Sequence, residues 1–272
     1  MIVWHIAWRE IRLGFRNPWA YSFLALFSVF SLALLLVQSQ NTLQGYTHTT
    51  GSMINLVLYL LPLMTMLLGS FAITSEKEDG GWELLSTYPL STFQLLLGKY
   101  IGLLIVLSTI VCFGYGLSGL FGWLLGNPFT GVSLAFFILL SLLLVLLFLG
   151  IAILAGTIAA NRWQALTIGV SIWFLFIIGW STLLIAVLGW LPYLWIKPAI
   201  VSLTFFNAAE LIRIFMVVKL GGGSIFGPEY AQWIDWIRGP WGTPIFICAC
   251  LLWVIGSMLL AIALWERRRK RD

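Results

Sequence analysis

Between Val132 and Leu188 the chain carries a single charged residue, Arg162. As one α-helix this stretch would be about 85 Å long at 1.5 Å per residue, well over twice the ~30 Å hydrocarbon thickness of a bilayer. A soluble core has no place for so long an apolar run, so it must cross a membrane, turn and cross back. Asn161-Arg162-Trp163-Gln164 is the one polar place to turn, which predicts spans at about 132–159 and 165–188. The same criterion, ~20 apolar residues per crossing, predicts four more spans at about 18–38, 52–74, 98–120 and 243–265. The expectation is an all-α membrane protein, a single six-span transmembrane domain over residues 1–272. A charged fraction of 9%, against about 25% in soluble domains, agrees.

Six spans put both termini on one side. That side holds Arg9, Arg12, Arg16, Lys77, Lys99, Arg162 and the tail Arg267-Arg268-Arg269-Lys270-Arg271; the other holds Lys197, Arg213, Lys219 and Arg238. The excess of positive charge makes the first side cytoplasmic. The basic tail directly follows a span and reads as an anchor on anionic lipid, so no nucleic-acid partner is expected. The uncharged stretch from Pro18 to Gln40 outruns a signal h-region and no small-x-small site follows it, so cleavage is not expected. In residues 1–17, Trp4 and Trp8 mix with Arg9, Arg12 and Arg16 before Asn17-Pro18 stops the helix. This predicts an amphipathic helix lying along the inner leaflet; the alternative is a plain extension of the first span.

The segment Glu76-Lys77-Glu78-Asp79-Gly80-Gly81-Trp82-Glu83 places four acids in the loop expected at 75–97. Four acids at a bilayer centre would cost on the order of 10–14 kcal/mol, so the segment belongs in water. Gly80-Gly81 frees the backbone to turn. Trp82, Leu85 and Tyr88 follow at i, i+3 and i+6, one face of a short helix, and Pro89 ends it. Ser91-Thr92-Phe93-Gln94 has capping-box form and starts a new helix that carries Lys99 at headgroup level.

These residues carry a resemblance. An acid-x-acid-x-Gly stretch (Glu76, Glu78, Gly80), a later acid and leucines (Glu83, Leu84, Leu85) and Pro89 between spans two and three resemble the ABC-2-type permease family. Thr87-Tyr88-Pro89-Leu90 and Leu96-Leu97-Gly98-Lys99 resemble more closely the permeases of nitrous oxide reductase maturation. Gly81 and Trp82 depart from the Thr and Leu common at those positions in the wider family. The resemblance implies that Glu76, Glu78, Gly80, Gly81, Trp82, Glu83, Leu84, Leu85, Tyr88 and Pro89 form a coupling helix docking into an ATPase subunit. It implies two ATPase copies carrying ATP and magnesium, a permease homodimer, and the inner membrane of a prokaryote.

Residues 189–242 are expected outside the membrane. Pro192 and Pro198 break up the first part. Asn207 reads as the N-cap of a helix running to about Leu220, with Glu210 and Arg213 able to pair at i, i+3. Pro228 starts a second helix with Trp233, Trp236 and Ile237 on one face. Asn207, Glu210, Arg213, Trp233 and Trp236 are the candidate contacts for an extracytoplasmic partner; the alternative is a helix pair resting on lipid.

The sequence has no Gly-x-x-x-x-Gly-Lys-Ser/Thr loop, so ATP is expected on another chain, and this chain is expected to need no cofactor of its own. No Cys-x-x-Cys or His-Glu-x-x-His appears; Cys112, Cys248 and Cys250 read as core residues, and Met64 and Met66 diverge on their helix, so no metal site is expected. The reading is a non-catalytic ABC permease subunit serving copper-site assembly in nitrous oxide reductase. The alternatives are an ABC-2 exporter of a lipid-like or drug-like molecule, and more remotely an ion-coupled carrier or membrane enzyme. The last two would need intramembrane ionisable groups, and the predicted spans hold no Asp, Glu or His.

Overall fold

The computed structural model describes residues 2–38, 48–80, 91–124 and 131–269. All regular elements among them are helical. Six long or medium helices come first: α1 (Ile2–Arg16), α2 (Pro18–Gln38), α3 (His48–Glu78), α4 (Thr92–Leu124), α5 (Gly131–Ile158) and α6 (Arg162–Trp190). Then follow α7 (Tyr193–Phe206), α8 (Ala208–Lys219), two 3-10 turns, α9 (Ala231–Arg238) and α10 (Gly242–Arg269). Five of these, α3 to α6 and α10, are long and apolar enough to cross a membrane; α7 and α8, bent by 111°, would make a sixth if counted as one span. The 21-residue α2 covers the first expected span.

Several boundaries follow from local chemistry. Asn161 caps α6 by accepting the Gln164 amide at 2.8 Å, and Ser91 caps α4 by accepting the Gln94 amide at 3.2 Å. α8 ends in a Schellman turn: Gly222 N–H reaches Val217 O, Gly221 N–H reaches Val218 O, and Gly221 takes φ +87°. Pro192 precedes α7 as expected, but Pro198 lies inside it. The helix tolerates the loss of one backbone bond, to the Leu194 carbonyl.

α5 is the axis of the bundle. Leu140, Leu144, Leu147, Phe148 and Ala152 are fully buried on it, between α3, α4 and α10. Where α3 crosses α5, small residues let the backbones close: Gly69 faces Ala152, and Gly156 faces Ser70. α6 is different. Only 6% of its most apolar stretch is buried, against 61–67% for α3, α4 and α5.

The amphipathic α1 does not lie clear of the bundle. Successive turns of α1 meet successive turns of α4: Ile6 on Gly98, Ala7 and Glu10 on Gly102, Gly14 on Val106. A Cβ at residue 102 would fall 2.6 Å from Glu10 Cβ and 2.7 Å from Ala7 O, so this approach requires glycine. Trp4, Trp8 and Arg12 occupy the opposite, exposed side, Arg12 lying over the Trp8 ring at 5.6 Å, while Arg9 and Arg16 stand exposed on the flank toward α3.

Candidate functional site: a charged hub at the end of α3

α3 does not stop at Thr74. No helix breaker occurs before Gly80, so the helix runs through Glu78, and the first acids are its last turn, not a loop. Acids at a helix C-terminus oppose the macrodipole, and each is matched here by a cation from another helix. Glu76 pairs with Arg9 of α1 and, at 2.9 Å, with Lys99 of α4. Lys99 Nζ also donates to Glu10 at 2.6 Å and to Ala72 O at 3.1 Å. Lys99 is enclosed by helices: it is 1% exposed, and Glu10 is 3% exposed. Burial of α1 against α4 encloses both, and each satisfies the other's charge.

The next two residues point elsewhere, because consecutive helical positions turn by about 100°. Lys77 Nζ donates to Gly156 O, Thr157 O and Ala159 O at 2.7–3.0 Å, capping the C-terminal carbonyls of α5. It also lies over the Trp265 ring of α10, 6.0 Å from the centroid. Glu78 accepts the Arg162 backbone N–H at 2.8 Å and pairs with Arg162 Nε at 2.8 Å, holding the N-terminus of α6. Asp79 stands 3.9 Å from the same guanidinium. Three successive side chains thus tie the end of α3 to α1, α4, α5, α6 and α10. Directly after them Gly80 takes φ +69°, a left-handed turn that leaves the helix.

Of the expected docking residues, Glu76 and Glu78 spend their carboxylates within the bundle, and Gly80 makes the turn. Gly81, Trp82, Glu83, Leu84, Leu85, Tyr88 and Pro89 lie outside the described residues. Sequence reasoning missed Glu10 and Lys99. A signal was present for each: Glu10 is the sole acid before Glu76, and Lys99 sits between two glycines one turn apart, Gly98 and Gly102.

Beside the hub, α1, α3, α4 and α6 enclose a cleft of about 1000 Å³, with charged groups at one end and apolar walls beyond.

The unit formed by residues 189–242 departs from the expected outer loop. Asn207 does cap α8, accepting from Ala209 and Glu210 amides, and Arg213 does pair with Glu210 at 2.6 Å. Yet Asn207 has no exposed surface, and its Nδ2 donates to Phe176 O at 2.7 Å, halfway along α6 within a π-helical turn, Phe174–Gly179. Trp253, near the middle of α10, donates to Phe205 O at 3.0 Å. The α7–α8 corner is thus sunk beside the middle of two apolar rods. Trp233 stacks on Trp236 at 4.8 Å and edges onto Phe205. Asn207, Glu210 and Trp233 are buried in the chain's own packing, with Arg213 and Trp236 half-buried against it, because α8 inserts its whole apolar length into the bundle. Burial pushes the Tyr230 phenol up, and the Glu210 carboxylate adds to it.

An all-helical bundle with five helices long and apolar enough to cross a bilayer fits an integral membrane protein. Residues 4–213 match the profile of the ABC-2 family transporter protein, more than half of the chain, and the chain belongs to that family. It is an integral membrane protein of the permease class of ABC transporters. Among curated proteins it is 37% identical over 122 residues to the "Probable ABC transporter permease protein NosY" of Stutzerimonas stutzeri, covering 43% of this chain and 44% of that one. It is 39% identical over 119 residues to the protein of the same description from Pseudomonas aeruginosa, covering 42% and 43%. The matched region spans less than half the length of these relatives.

Proposed function

We propose that this chain is the membrane subunit through which a separate ATPase drives an ABC transporter, with ATP and magnesium held on the ATPase and no cofactor here. The observation that carries this is the hub. The segment after Gly80 leaves directly from three residues that grip five other helices. A displacement delivered at Gly80 is therefore passed to the bundle as rigid-body motion. The docking face is Trp82, Leu85 and Tyr88. Two copies of the permease meet two ATPases, and the sparsely covered α6 supplies the face between copies. Both termini lie in the cytoplasm of a prokaryote, the α1 face bearing Trp4, Trp8 and Arg12 rests on the inner leaflet, and the 189–242 unit faces the other side. An extracytoplasmic partner would meet the exposed Trp195, Ile225 and Trp241 of that unit.

Trp82→Ala with Leu85→Ala is expected to abolish co-purification of the ATPase while membrane insertion stays normal. Unchanged co-purification sinks the docking assignment. The likeness to NosY permeases supports a role in copper-site assembly of nitrous oxide reductase. The second reading, export of a lipid-like or drug-like molecule, is favoured by the apolar walls of the cleft. Neighbouring genes separate the two: an ATPase beside a periplasmic repeat protein fits assembly, an ATPase alone fits export.

A further inference from the structure

The far half of α6 and the whole of α7 make a hairpin that is closed at its root. α6 ends at Trp190, and α7 leads back from Tyr193 to Phe206. Directly after α7, Asn207 Nδ2 donates to Phe176 O of α6 at 2.7 Å. The returning strand therefore ends at the level where the outgoing strand began. Both strands are broken at that level. α6 passes through the π-helical turn Phe174–Gly179, and α7 meets α8 at Asn207 with a bend of 111°. Regular helix hydrogen bonding is interrupted at such breaks, so a helix bends there more easily than elsewhere.

Cover differs on the two sides of this level. On the hub side, Trp173 donates to Tyr59 O of α3 at 2.8 Å. The Phe176 ring stands edge-on to Phe148 of α5 and to Trp253 of α10. Past Asn207, α8 is buried along nearly its whole length. Between the two breaks the chain has little cover: over residues 180–206 only Trp180, Ile200 and Thr204 are buried. At the tip, Trp190 is 93% exposed and Leu194 86%. The Trp180 indole N–H, at the root, is buried with no acceptor among the described residues, a cost that a second position of the root would relieve.

We propose that residues 180–206 are a hinged flap on the side of the molecule away from the hub, turning about the line from the π-turn to Asn207. The Asn207 amide holds the two roots together, so the far half of α6 and α7 swing as one body. Only what drives the flap rests on the reading of the hub given above; the hinge belongs to this chain alone. The arm Trp180–Trp190 is 11 residues, about 16 Å. A bend of about 20° at its root carries the tip through about 5–6 Å.

The test contains no ATPase, so loss of ATPase docking, read by co-purification, and failure of the hinge are separate results. In the full chain with Cys112, Cys248 and Cys250 replaced by serine, one pair of nitroxides is placed at Leu194→Cys on the flap and Ile247→Cys on α10. A second pair, Ile225→Cys and Ile247→Cys, joins α10 to the 3-10 turn that follows α8; all three positions are exposed. Labelled chain is diluted into excess unlabelled chain in lipid, and distances within one chain are read by pulsed electron paramagnetic resonance. The first distribution is expected to be broader than the second by about 5–6 Å. Deleting the exposed Leu175 removes one residue from the π-turn and lets α6 run through as regular helix, which should narrow the first distribution to the width of the second. Asn207→Ala should broaden it further, because the returning strand is released. A wild-type first pair no broader than the second overturns the proposal, and so does full breadth in a Leu175 deletion whose second pair is unchanged. If the deletion disturbs the second pair as well, Asn207→Ala decides, and an unchanged first distribution in that variant overturns the hinge.

Discussion

Lys99 and Glu10 form a buried pair whose value lies in mutual compensation, because taking either charge away strands the other in a dry environment. Lys99→Met is expected to destabilise the chain by about 3–5 kcal/mol, read as a lowered thermal midpoint in detergent. Lys99→Met combined with Glu10→Met should recover much of the loss, since Glu76 keeps Arg9 as its partner. If the double variant is as unstable as the single one, the pair is not the source of the effect. At the outer unit, Asn207→Ala removes the cap of α8 and the bond to the Phe176 carbonyl. A loss of about 1–2 kcal/mol is expected, with faster amide exchange in the first turn of α8 as the local readout. Residue-scale chemistry was partly open to sequence reasoning. The Asn207 and Ser91 caps follow from local spacing, because a cap needs only its own next turn. The Lys99–Glu10 pair joins residues 89 positions apart, and nothing local encodes that distance.

At the scale of elements, α1 is seated on α4 through Gly98 and Gly102. Gly102→Ala is expected to push α1 away at a cost of about 1–3 kcal/mol, since the Ala7 carbonyl it meets is backbone and cannot rotate aside. Accelerated tryptic cleavage after Arg12 and Arg16 would report the unseating. Gly116→Ala on the same helix meets nothing within 4 Å and should be neutral or slightly stabilising. Amphipathicity gave away the existence of α1, but composition cannot say whether its apolar face lies on lipid or on a helix, since both are oily. The same ambiguity hid the course of α7 and α8. Their caps and the closing glycine turn are local, yet the insertion of α8 between α5, α6 and α10 depends on the shape those helices leave open.

For the whole molecule, α6 is the anomaly: an apolar rod with almost no cover from its own chain. Val170, Phe174 and Ile178, spaced at i, i+4, are all exposed on it. In a background with the three cysteines replaced by serine, Phe174→Cys is expected to form disulfide-linked dimers in native membranes, whereas Leu252→Cys on exposed α10 should not. Equal cross-linking at both positions would remove α6 as the face between copies. Five of the six expected crossings, now α3 to α6 and α10, were legible from the length of the apolar runs and the bilayer's thickness, because a span needs nothing but ~20 apolar residues. The family was legible from the short polar stretch after the second span, because in so apolar a chain any polar stretch has to have a use. What that stretch does inside the fold was not legible. Glu76, Lys77 and Glu78 look like loop residues in one dimension, but they become a three-way junction once five helices converge on the end of α3. Ion pairing between distant segments depends on which helices are brought together, and that is set by the packing of small residues against large ones throughout the bundle.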